Sequence, residues 1–198
     1  MSRSITVTLP DGKPLSLPSG ATVLDVAAEI GPGLAKAALA GRIDGELVDL
    51  RRPILEDAAI EIVTSKDVVG GEVIRHSAEH VMADAVKRLF PEAQVDAGRA
   101  DHSDKFQYDF LVDEPFTPED IERIEKEMNS ILAEGATFSR EVVSREEAAE
   151  LFRSMGEELK LSRLADIPED AELPVFRHGS CGALCRGPLV QNTRQIGA

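Results

Sequence analysis

Residues 5–31 read ITVTLPDGKPLSLPSGATVLDVAAEIG. ITVTL (5–9) alternates apolar and polar, and Asp11-Gly12 leads into PLSL (14–17), the pattern of a hairpin across a tight turn. From Ser19 the period changes. SGATVLDVAAEIG (19–31) predicts a helix, with Thr22 as its N-cap, Asp25 three residues on, and Gly31-Pro32-Gly33 as its stop.

Beyond that stop, AALAGRIDGELVDL (37–50) gives two short strands around Gly45, and AIEIV (59–63) alternates once more. A hairpin, a helix and further strands follow the order of a small β-grasp, ubiquitin-like domain over residues 1–64, although alternation alone admits other compact α+β arrangements. TSKDVVGGE (64–72) has the polar and glycine content of a boundary, so residues 65–198 are expected to form a second domain.

In that second part EVIRHSAEHVMADAVKRLF (72–90) predicts a helix ended by Pro91. Ile74, Ala78, Val81, Met82, Ala85 and Leu89 form its apolar stripe. His76 and His80 fall on the opposite side, in line with Lys87, facing water or a second surface. KFQYDFLV (105–112) predicts a strand, and FTPEDIERIEKEMNSILAEG (116–135) a helix with Thr117 capping, Pro118 at its first position and Gly135 after its end. TFSREVVS (137–144) predicts a strand that hands over at Ser144 to a helix over 145–156, with Glu147 completing a capping box. ELKLSRLADIPEDAEL is less regular, and PVFRHG (174–179) is a last strand. The final Ile196-Gly197-Ala198 reads as a chain cut while a strand begins.

Composition narrows the function classes. The chain has 198 residues, 42% of them hydrophobic, and only 4% are aromatic, so its cores rest on Val, Ile, Leu and Ala. A formal net charge of −14 argues mildly against a general nucleic-acid binder, which needs Lys and Arg to neutralise phosphates. It does not exclude contact with one RNA end. No apolar run of about 18 residues is present and the N-terminus has no signal-peptide pattern, so no membrane partner and a cytoplasmic location are expected. Cys181 and Cys185 are then expected as reduced thiols.

The four histidines include a pair at i, i+4, which a helix presents off one face. Solvated surface histidines are the plain alternative. Candidates to meet the pair are Cys185, Cys181, His178, His102, Asp101, Asp104, Tyr108 and Lys160, with Asp101, His102 and Asp104 in GRADHSDK reading as a solvent-exposed loop. The turn at Cys185-Arg186-Gly187-Pro188 suits the display of a side chain and backbone N–H groups. Ligand types also allow zinc on His76, His80, Cys185 and Cys181, although the Cys-x3-Cys spacing is looser than a knuckle.

In order along the chain, TLPDGKPL, IRHSAEHVMADAVKRLFP, QYDF, LKLSRL and CRGP resemble the N-terminal half of threonyl-tRNA synthetases, and the resemblance covers essentially the whole chain. It implies a TGS domain followed by an editing domain of the type shared with alanyl-tRNA synthetases. The implied activity is hydrolysis of serine wrongly esterified to threonine tRNA, a reaction needed because one methyl group discriminates weakly. It further implies catalytic roles for His76, His80, Cys185 and Lys160, and contacts from Tyr108, Asp109, Arg186 and Gly187 to the tRNA 3′ end. No cofactor is implied, and the partners would be threonine tRNA and a ligase core of the same polypeptide. Departures from the family pattern sit at the site. Leu189 stands where a histidine is expected, Ala183 where an acidic residue is expected, and Ser180-Cys181 where Asp-Phe is expected. GRADHSDKFQYDF also lacks the GPxIxxGFYYD wording. A decayed module that binds the acceptor end, or serves structurally without hydrolysis, is therefore the alternative.

Overall fold

The structure is a computed structural model that describes residues 3–179 and 181–197; Ser180 and Ala198 of the sequence reading lie outside the described residues. The chain divides into two compact units: residues through Ile74 together with Gly187–Gln191, and Arg75–Arg186 together with the segment from Asn192 onward. No helix among the described residues is long and apolar enough to cross a membrane.

In the first unit, β1 (Ser4–Thr8) and β2 (Pro14–Pro18) form the expected hairpin, with Thr8 opposite Pro14 and Gly12 at φ 81° in the turn. α1 (Val23–Ile30) begins at a complete capping box: Thr22 Oγ1 accepts the Asp25 N–H, and the Asp25 carboxylate accepts the Thr22 N–H. A second short helix, α2 (Pro32–Ala37), follows at once, where the sequence reading had placed only a stop. Proline at the first helical position lacks an N–H that would have no partner there anyway, so Pro32 starts a helix as well as ending one. β3 (Ala38–Ile43), β4 (Glu46–Val48) and β5 (Ala58–Thr64) complete a sheet of order β2-β1-β5-β3-β4, in which β1 and β5 run parallel. Ile5, Val7, Val23, Val26, Ala27, Leu50, Ile54 and Ile60 fill its core. This is the α+β, β-grasp arrangement that the hairpin–helix–strand order predicts.

Residues 187–191 are built into this unit. The Leu189 N–H donates to Asp49 Oδ2 at 3.1 Å, the Arg51 guanidinium donates to the Val190 carbonyl at 3.1 Å, and Gln191 Nε2 donates to the carbonyls of Ala35 and Ala38 at 2.8 Å each. Leu189 is wholly buried.

The glycine-rich stretch 64–72 is not a loose linker. α3 (Val68–Leu89) starts inside it, four residues before the predicted start. The Asp67 carboxylate accepts both the N–H and the hydroxyl of Thr64, folding the chain back on the end of β5. A Cβ on Gly70 would lie 2.1 Å from the Thr64 carbonyl oxygen, so glycine is present for close approach rather than for flexibility.

The second unit comprises the rest of α3 with β6 (Gln94–Gly98), β7 (Tyr108–Leu111), α4 (Pro118–Glu134), β8 (Ser139–Val143), α5 (Arg145–Ser154), α6 (Glu158–Asp166), β9 (Leu173–His178) and β10 (Cys181–Leu184). Two antiparallel sheets result, β6-β7 and β10-β9-β8. The Thr117 cap and the Ser144 capping box form as expected, and at Thr117 Asp120 completes a box as well. α6 occupies the stretch read as irregular. Its N-cap, Glu157, makes no side-chain capping bond, so the sequence carries no start signal there. Ala148, Phe152, Leu164 and Leu173 form a core shared by α5, α6 and β9.

Candidate active site

The predicted stripe accounts for only part of α3. Residues 77–81 and 83–86 are all buried, including Ser77, Glu79, His80 and Asp84. The side of the helix that carries these polar groups faces a second protein surface, and burial of that kind requires partners. The partners are what build the site.

His76 Nε2 lies 3.1 Å from Cys185 Sγ, the Cys185 turn following directly on β10. His80 stands one helical turn on, its ring 5.4 Å from that of His76. The donor atoms of His76, His80 and Cys185 all fall within 4.8 Å of one another. Tyr108, on β7, presents its ring edge-on to His80 at 6.4 Å. Lys160 is buried on α6, with Nζ 3.9 Å from Glu157 Oε2 and 5.9 Å from the Phe152 ring centre. Five of the sequence-predicted residues are thus brought near one another within the second unit: His76, His80 and Cys185 in one cluster, Tyr108 at its edge, and Lys160 close enough for its charge to act on His80.

Others are not brought in. Asp109 is exposed, because adjacent strand residues point to opposite faces and Tyr108 takes the inner one. Arg186 is exposed, and Gly187 belongs with Leu189 to the first unit. Ala183 is buried on β10 opposite Phe176. Neither cysteine is in a disulfide. Cys181 does not join the three converging donors, so the four-ligand zinc site is not assembled. The three that converge match in number a catalytic zinc site with one open position.

Burial first, then the electrostatic influence of His76, His178, Lys160 and His102 on its protonated form, holds His80 well below its ordinary value of 6.5. Burial likewise raises the Tyr108 hydroxyl and pushes the Cys181 thiol up to about 11. The sign for stability follows from linkage. His80 stays neutral in the native state, whereas the unfolded chain takes up its proton near pH 6.5, so this stabilisation is full above that pH and declines as pH falls below it. Denaturant midpoints measured at about pH 7.5 and about pH 5.5 should therefore drop toward acid, and less steeply in His80→Asn. Equal slopes would contradict the assignment.

Sequence reasoning named His102 and His178 among the candidates but read His102 as solvent-exposed, and it missed their buried acidic partners, Glu79 and Asp84. His102 is not in solvent: its Nε2 lies 2.8 Å from Glu79 Oε2, and its ring stacks on His76 at 4.4 Å. Glu79 is itself buried. His178 Nε2 lies 3.3 Å from Asp84 Oδ2, with Phe138 against its ring. Burial raises Asp84, yet His178 and Arg88 more than offset this and hold it below the usual carboxylate range. A signal was present: acidic residues one position before His80 and four after it are costly on a buried helix unless basic partners meet them.

Comparison with known proteins adds a domain match and several relatives. A TGS domain model matches residues 5–64. Threonine–tRNA ligases from Nitrosococcus oceani, Burkholderia vietnamiensis and Burkholderia ambifaria are 49%, 48% and 48% identical over 192 residues, 97% of this chain. The chain spans 30% of the length of each of these relatives. It carries a TGS domain and, along nearly its whole length, is similar in sequence to threonine–tRNA ligases.

Proposed function

We propose that this chain acts as the editing part of a threonine–tRNA ligase, hydrolysing the ester of serine mischarged on threonine tRNA. The observation that carries this reading is the contact of His76 Nε2 with Cys185 Sγ at 3.1 Å, with His80 in the same cluster. In the proposed reaction His76 takes a proton from water as the oxygen attacks the ester carbonyl. The tetrahedral intermediate then collapses, and the proton passes to the departing ribose oxygen. His80, kept neutral by burial, accepts or donates a hydrogen bond without adding charge, and the Lys160 ammonium supplies positive potential for the developing oxyanion. The threonine tRNA 3′ end, and a ligase core in the same polypeptide, are the proposed partners. A cytoplasmic location goes with them.

A second reading, binding without hydrolysis, is favoured by one observation. Ala183 and Leu189, at positions where the family pattern expects an acid and a histidine, are both buried and apolar. A non-hydrolysable seryl-3′-amino-adenosine separates binding from chemistry. Its addition is expected to shift the NMR signals of His76, His80 and Tyr108. Saturating ligand with those signals unmoved would remove the pocket from either reading.

A further inference from the structure

The Glu79–His102 pair lies behind the proposed catalytic histidine and is not used by the reaction as written. Glu79 is 2% exposed and His102 9%. The Glu79 carboxylate accepts the N–H groups of Arg99 at 2.9 Å and Gln107 at 3.2 Å through Oε1, and meets His102 Nε2 at 2.8 Å through Oε2. The loop between β6 and β7 is thereby closed onto α3 from both of its ends. Arg75, one turn earlier on α3, donates to the carbonyls of His102 and Ser103 and ties down its middle. Gly98 leaves the space that the carboxylate occupies, since a Cβ there would stand 2.8 Å from Glu79 Oε2.

The loop is thus built to deliver one ring to one place. The His102 ring lies 4.4 Å from that of His76, tilted by 24°, while the edge of His76 that carries Nε2 faces Cys185. A histidine on a helix turns freely about its second side-chain torsion unless something covers its face. His102 is that cover, and the Glu79 carboxylate fixes the orientation of His102 by accepting Nε2–H.

We infer that Glu79 and His102 are a positioning pair for His76, holding its ring so that Nε2 stays directed at Cys185 and the reacting water. This rests on the hydrolytic reading for its consequence, but the ring orientation is measurable without any reaction. Two readouts test it. In 15N-resolved NMR of the imidazoles, His76 is expected to show one dominant tautomer in the parent chain and an averaged signal in His102→Ala and Glu79→Ala. In single-turnover deacylation the same variants are expected to lose up to about 10²-fold in kcat with KM little changed, the cost of a misplaced reacting group. Glu79→Gln, whose single amide oxygen can accept from the Arg99 and Gln107 N–H groups or from His102 Nε2–H but not from both, is expected to recover only part of the single tautomer and of the rate. A structural role alone would lower stability in all the variants without changing the His76 tautomer. An unchanged tautomer in His102→Ala overturns the inference whatever the rate does. Where His102→Ala fails to fold, Gly98→Ala, which pushes the carboxylate aside, gives the same readout. If the parent chain hydrolyses nothing, the hydrolytic reading fails, and the NMR result still decides the positioning.

Discussion

His76→Ala is expected to reduce hydrolysis of seryl-tRNA by about 10²–10⁴-fold, the usual contribution of a positioned general base. The 3.1 Å contact makes His76 and Cys185 one unit, so Cys185→Ala should fall in the same range and the double variant should be scarcely worse than either single one. Independent roles would instead multiply the two losses. Circular dichroism and the denaturant midpoint must match the parent chain, because both residues are only half-buried and neither belongs to the cores of the two units. A rate within threefold of the parent (roughly 0.6 kcal/mol in the barrier) for both single variants would remove this cluster from the chemistry.

The largest stability effect is expected at Glu157. This carboxylate is fully buried, with Oε1 3.2 Å from Lys87 Nζ and Oε2 3.9 Å from Lys160 Nζ, and Oε2 also accepts the Val95 N–H at 3.2 Å. Lys87 keeps the carbonyls of Pro91 and Ala93 as partners, whereas Lys160 would be left as a buried charge beside a phenyl ring. Removing one member of a buried ion pair costs about 3–5 kcal/mol, chiefly because the other is left uncompensated. Glu157→Leu should lower the unfolding free energy by about that amount in urea titration. Adding Lys160→Met should restore part of it, a coupling that only interacting residues produce. A loss below about 1 kcal/mol, or no recovery in the double variant, would contradict the network.

How far the sequence reading reached depended on whether the signal was local. The β1–β2 hairpin, α1 with its Thr22 cap, α4 and α5 all carry turn or capping residues within a few positions of their ends, and all were legible. α6 was not, because Glu157 turns its carboxylate to Lys87, Lys160 and Val95 instead of capping. Gly70 looked like a linker glycine because the Thr64 carbonyl that requires it is brought close only by the fold. The same contrast holds at the site. The i, i+4 spacing of His76 and His80 is written on one helix, whereas Cys185, Lys160 and Tyr108 were candidates by residue type whose roles came from the resemblance. His102 reaches the site through a loop whose polar residues suggest solvent, and its partner Glu79 lies 23 residues earlier. Leu189, named as a missing corner, is held in the first unit by backbone contacts to Asp49 and Arg51 that no motif announces.

The central claim is most directly tested by single-turnover deacylation, with this chain incubated with seryl- and threonyl-tRNA(Thr) alongside His76→Ala. Serine is expected to be released faster than threonine, with serine release falling about 10²–10⁴-fold in the variant. Serine ester that persists with the parent chain as long as in buffer alone would contradict it.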